Sequence, residues 1–258
     1  MYASTKNLAI SAILTAAFVE SAVAAESSLA SINNIFAFGD SWTSNGYSPA
    51  KGLQNIDFYN TTSGGANWLK YFATNFTSAT NSYYDFASVG AVIDNDVVFS
   101  NPATDFGSQV GLFETYFSNS NRSNPASWSA NDTLFAIWFG NDDLYNCFTN
   151  NQNFETIIPQ LLTAYDSATG RLYLAGARHF LYISLPSLSK SPLALSSQNA
   201  SSTIANSVVS WNSQLESYVS STSTKYQGMD TTWFDAKNFT EKVDSGSRLA
   251  GRVGRTEY

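Results

Sequence analysis

Ile35-Phe36-Ala37-Phe38-Gly39-Asp40-Ser41-Trp42-Thr43 is the stretch on which the fold turns. Four apolar residues closed by a glycine are too few for a helix and suit a buried strand. Glycine permits a sharp turn. A serine just past the strand end has its hydroxyl at the sheet's edge, with backbone N–H groups nearby. Gly-Asp-Ser also makes an ordinary turn, so its weight comes from following a buried strand near the start of the domain.

Working outward, short apolar runs at 84–87, 134–139, 180–185 and 232–234 alternate with amphipathic stretches at 65–76, 106–117, 154–175 and 197–224. That alternation predicts an α/β fold, a three-layer sandwich with a central parallel sheet. The first three strands run into Gly39-Asp40-Ser41, Ser88-Val89-Gly90 and Gly140-Asn141-Asp142-Asp143, read as turns at the carboxyl edge, where chemistry usually sits. In the last helix Ile204, Val208, Val209, Trp211, Leu215 and Val219 are spaced as a core face rather than a cofactor site. No repeat or Pro/Gly-rich linker divides the chain, so one domain is expected over 25–244.

The 258 residues are 43% hydrophobic and 15% aromatic, which excludes wholesale disorder. A net charge of -7, with no basic cluster before Arg248, Arg252 and Arg255, argues against nucleic acid. Abundant Asn, Ser, Thr, Tyr and Trp suit a neutral, hydroxyl-rich partner. A basic start (Met1 to Lys6), an apolar run from Leu8 to Val19 and Ala22-Val23-Ala24 have the layout of a cleavable secretory signal over 1–24. The run is too short to span a bilayer, and Glu20 closes it. A secreted, unanchored, glycosylated monomer is therefore expected, with sequons at Asn60, Asn75, Asn121, Asn131, Asn199 and Asn238. Cys147 is the sole cysteine, which means either burial or a lost partner. Residues 245–258 differ in composition and read as a disordered tail.

Phe38-Gly39-Asp40-Ser41-Trp42-Thr43, then Asp85-Phe86-Ala87-Ser88-Val89-Gly90-Ala91, then Thr133-Leu134-Phe135-Ala136-Ile137-Trp138-Phe139-Gly140 resemble, in order, the first three blocks of GDSL (SGNH) hydrolases. The pattern is most similar to the fungal carbohydrate acetylesterases of family sixteen. It extends from about Ile35 to Asp244, through Gly176-Ala177-Arg178 and Pro186. The resemblance implies that Ser41 attacks an ester carbonyl, and that the oxyanion is held by the N–H groups of Ser41 and Gly90 and by a third-block asparagine amide.

Two departures qualify what the resemblance implies. The third block reads Gly140-Asn141-Asp142-Asp143, so an ungapped match puts Asp142 where the amide belongs, and an ionised carboxylate can only accept hydrogen bonds. Either a change of turn brings Asn141 there or Asp142 is protonated. The family's late Asp-x-x-His, base and orienting partner, is absent. The single histidine, His179, opens the fourth strand and is expected at the amino edge, about 15 Å from the nucleophile's edge. Since the resemblance fades after Trp233-Phe234-Asp235-Ala236-Lys237-Asn238-Phe239-Thr240, a truncated or mis-spliced chain is expected, and Cys147 fits a lost partner.

Trp42 and Tyr47 are candidates for stacking on sugar rings, or else for covering the core. Asp94, Asp96, Asp142 and Asp143, without His or Cys, do not make a metal ligand set, and Asp94 with Asp96 reads as a solvated turn. No cofactor or metal is expected. The leading expectation is a secreted serine ester hydrolase removing acetyl groups from plant-derived carbohydrates, with impaired turnover in this chain. Its substrate would be a small-molecule or oligosaccharide ester. A non-catalytic carbohydrate-binding or vestigial protein, and a lipid esterase, remain open beside it.

Overall fold

Five parallel strands form one sheet in the order β2-β1-β3-β4-β5. They are β1 (Asn34–Gly39), β2 (Tyr83–Asp85), β3 (Thr133–Trp138), β4 (His179–Ile183) and β5 (Asp230–Phe234). Parallel neighbours need crossovers, and helices supply them: α1 (Trp68–Phe76), α2 (Phe106–Phe117), α3 (Asn141–Thr149), α4 (Phe154–Leu174) and α5 (Ala200–Lys225), while α6 (Ala236–Asp244) follows the last strand. The computed structural model describes residues 29–52, 61–100, 104–118, 128–192, 194–195 and 200–245. The segment 1–24 expected to be a signal and the segment beyond Ser245 expected to be a tail lie outside them. Strand order 2-1-3-4-5 is the doubly wound, flavodoxin-like arrangement, whose topological switch point falls between β1 and β3.

The two faces of the sheet differ in thickness. Phe36, Phe38, Phe135, Ile137, Phe180 and Tyr182 point to one side, where α2, α4 and α5 add Phe106, Phe113, Leu161, Tyr165, Trp211 and Leu215. The interleaved Ile35, Ala37, Leu134, Ala136, Leu181 and Ile183 point to the other, which α1 and α6 cover through Leu69, Ala73 and Ala236. Period-2 alternation within each strand assigns these sides, and the register Phe36↔Phe135, Ala37↔Ala136 stacks like on like. The result is the expected three-layer α/β sandwich.

Helix starts are set by short polar caps whose oxygens accept otherwise orphaned N–H groups. Asp105 caps α2 by accepting from Ser108 N at 2.8 Å, Asn153 caps α4 from Glu155 N at 3.0 Å, and Asp235 caps α6 from Asn238 N at 2.9 Å. Asn67 caps α1, so that helix begins at Trp68 rather than at 65.

Two elements differ from expectation. Residues 141–143 belong to helix α3, not to a turn, because Gly140 alone reverses the chain at φ 114. A Cβ there would lie 2.8 Å from the Trp211 indole nitrogen, so glycine is needed for both conformation and space. Helix α6 was not foreseen: of its nine residues only Ala236 is buried, while Phe239 and Val243 are exposed. Among the described residues no helix is long and apolar enough to cross a membrane.

Candidate active site

The three polar segments that follow β2, β1 and β3 lie side by side at the carboxyl edge, because those strands are adjacent. Direct hydrogen bonds tie them together. Ser88 N donates to the Gly39 carbonyl at 3.0 Å, joining the second segment to the first. Ile93 N donates to Asp143 Oδ1 at 3.0 Å, joining the second to the third. Gly39 is also gripped from α2: its N–H donates to Gln109 Oε1 at 3.0 Å, and Gln109 Nε2 donates to the Gly39 carbonyl at 2.8 Å.

Ser41 is the second residue past β1, half-buried, in a turn closed by Asp40 Oδ1 accepting from Trp42 N at 2.9 Å. Its carbonyl accepts from Thr62 Oγ1 at 2.8 Å. Gly90 sits at φ 78 in the adjacent turn, with Ala91 N donating to Ser88 O and its own carbonyl accepting from Ser100 Oγ. Asn141 and Asp142 open helix α3, both half-buried, and α3 has no side-chain cap. Carboxylates in the first turn suit the positive end of a helix dipole.

The electrostatics of this edge are unusual. Asp40 is 2% exposed, and burial, then repulsion from Asp142 and Asp143, raises its carboxyl well above the ordinary range. Burial pushes Asp142 up to about 6 and leaves its Oδ2 without a hydrogen-bond partner. Asp143, fully buried, is pushed up to about 7, by burial first and by Asp142 and Asp94 after it, against the Ile93 N–H that favours its ionised form. Desolvation disfavours the charged form, so these acids share fewer than three charges near neutrality. Below about pH 6 the neutral form of Asp142 predominates, and a neutral carboxyl can donate a hydrogen bond.

The remaining expected residues separate clearly. Trp42 packs edge-on against Trp138 at 5.1 Å between centroids, and Trp138 against Trp68 at 6.0 Å, so three indoles form a ridge beside the Ser41 turn. Tyr47 lies against Tyr84 and Phe86 at 6.0 and 5.9 Å, covering the core rather than standing in an open cleft. His179 opens β4 at the amino edge, with Nδ1 3.3 Å from Asp230 Oδ2, at the far end of the sheet from Ser41. Asp96 N donates to Asp94 Oδ1, making the small turn expected there. Cys147 is buried and free, its thiol raised to about 11 by burial. Asn75, Asn131 and Asn238 are exposed, and Asn60, Asn121 and Asn199 lie outside the described residues.

Gln109 and Trp138 escaped the sequence reading. Gln109 left a signal: a polar residue on the same helix face as Phe106, Val110 and Phe113. Trp138 lies inside the apolar run 134–139 and reads as one more buried strand residue.

The family model described as GDSL-like Lipase/Acylhydrolase matches residues 35–252. An acetylesterase of Thermothelomyces thermophilus is 29% identical over 171 residues, covering 62% of this chain and 56% of that protein. A thermolabile hemolysin of Vibrio parahaemolyticus is 28% identical over 233 residues, covering 88% and 51%. The chain thus spans about half the length of the curated relatives it matches. A solved lipolytic protein of the G-D-S-L family from Veillonella parvula shares 11% identity with a TM-score of 0.47, over 86% of this chain and 89% of that one.

Proposed function

The chain belongs to the GDSL-like lipase/acylhydrolase family, and from that premise we propose that it is a carboxylic-ester hydrolase whose nucleophile is Ser41. One observation carries the reading: Ser41 lies just past β1 at the switch point of the sheet, flanked by the Gly90 turn on one side and the start of α3 on the other. Attack by its Oγ on an ester carbonyl makes a tetrahedral oxyanion, for which the N–H groups of Ser41 and Gly90 are the candidate donors. Asn141, or neutral Asp142, is the candidate third donor. Collapse expels the alcohol and leaves an acyl-serine for water to hydrolyse.

An acetyl group on a carbohydrate is the proposed substrate. The acetylesterase relative supports it, as does the indole ridge of Trp42 and Trp138, since apolar sugar faces pack against such rings. Turnover in this chain is proposed to be weak. A serine hydroxyl needs a base to take its proton, and the one histidine, His179, is at the opposite end of the sheet. Secretion and glycosylation are part of the proposal, supported by the residues of 1–24 and by the exposure of Asn75, Asn131 and Asn238.

Fluorophosphonate labelling of the full chain and of Ser41→Ala, alongside hydrolysis of p-nitrophenyl acetate, tests it. The expected result is slow labelling and slow turnover that both vanish in Ser41→Ala. Equal labelling of the two proteins would overturn the assignment, and no labelling of either would favour a carbohydrate-binding or vestigial protein.

A further inference from the structure

We infer that Asp143 is a positioning residue: its carboxylate holds the 88–93 loop to the start of α3 and so places the Gly90 N–H beside Ser41. The catalytic consequence rests on the esterase reading, whereas the placement of the loop does not. The loop carries no helix or strand of its own, so its position depends on individual bonds. Ser88 N to the Gly39 carbonyl fixes one end. Asp143 Oδ1 accepting from Ile93 N, fifty residues away in sequence, holds the other, beside Phe106 N donating to the Val92 carbonyl at 3.3 Å. Ala91, Val92 and Ile93 are buried, so an Ile93 N–H deprived of that acceptor has no water to turn to.

Asp143 is an expensive acceptor. It is fully buried, its Oδ2 has no partner, and Asp40, Asp142 and Asp94 all face it. Its second oxygen is not used in the bond to Ile93. An asparagine turned to present its carbonyl would serve the same N–H. Besides its own backbone N–H in the first turn of α3, Asp143 reaches out of that helix to another segment.

The test compares Asp143→Leu, which keeps the side-chain shape without an acceptor, with Asp143→Asn, which keeps one. Amide hydrogen exchange is followed over 88–93 and over α3, together with the rate of fluorophosphonate labelling at Ser41. In the leucine variant, exchange over 88–93 should rise roughly 10-fold or more while α3 stays protected. Labelling should slow by a similar factor at unchanged half-saturating reagent. The asparagine variant should restore both.

Unchanged protection of 88–93 in the leucine variant overturns the inference, as does loss confined to α3. A loosened loop with a wild-type labelling rate overturns the link to Ser41. If the wild type itself does not label, the esterase reading fails, and the exchange data still decide the loop. If the leucine variant does not fold, Asp143→Asn decides alone: wild-type protection over 88–93 supports the role, and a fall rejects it.

Discussion

The two ends of the sheet handle polar groups in opposite ways. At the carboxyl end of β1 and β3, Asp40, Gln109 and Asp143 are all at most 2% exposed, and Asp142 and Asp143 each keep an oxygen with no partner. At the amino end of β4 and β5, His179 and Asp230 pair at 3.3 Å with side chains 33% and 72% exposed, where water satisfies whatever the pair leaves over. Burying a polar group without full compensation costs free energy, so evolution tolerates it where a backbone must be held in one place. The first end is also the one at which the proposed nucleophile Ser41 stands.

The largest expected effect on stability in that comparison comes from removing Gln109. It satisfies both backbone groups of Gly39 and also donates to the Thr104 carbonyl at 3.1 Å. Gln109→Ala strands the Gly39 N–H in a site without water and leaves a cavity, for a loss of about 3 kcal/mol. Urea denaturation measures it. A loss under about 1 kcal/mol would mean that the Gly39 turn is held by Ser88 alone.

A smaller effect follows from the acids. Asp142 and Asp143, at about 6 and about 7 in the folded chain, and Asp40, raised with them, all start from an ordinary value of 3.8. The folded chain therefore keeps protons that the unfolded chain has released, from about pH 4 upwards. Their contribution is complete below that value and is lost as pH rises through 6 to 7. Thermal melts should show a higher midpoint at pH 5 than at pH 8, and Asp143→Asn should flatten the slope. A midpoint that climbs from pH 5 to pH 8 would contradict the burial of these carboxyls.

Much of the scaffold was legible in the sequence, for reasons visible in particular elements. Helix α2 has the bounds Phe106–Phe117 that its stripe of Phe106, Val110, Phe113 and Phe117 predicts. β1 and β3 were readable because strands buried on both faces are continuous apolar runs. Helix α3 was not, since its first turn is Asn141, Asp142 and Asp143 and only Leu144 and Cys147 are buried apolar residues. Its start depends on Gly140 fitting against Trp211, a contact across 71 residues that no local pattern announces. The position of Ser41 was likewise readable from a strand and a turn. The bonds that hold its surroundings were not, because those from Gln109 to Gly39 and from Asp143 to Ile93 are each made across at least 50 residues.

The smallest expected effect lies at the amino end. His179, the only histidine in the chain, is expected from sequence at the amino edge, and it does start β4 there and pair with Asp230. His179→Ala removes one partly exposed side-chain contact, worth about 0.5 kcal/mol or less. If the two ends are as separate as the strand order makes them, that variant should label at Ser41 at the wild-type rate and melt within about 2 °C of it. A fall of 10-fold or more in labelling with an unchanged melting temperature would mean that the imidazole reaches Ser41 in a different arrangement of the chain. The proton acceptor would then be His179, and the contrast between the two ends would no longer mark where the chemistry occurs.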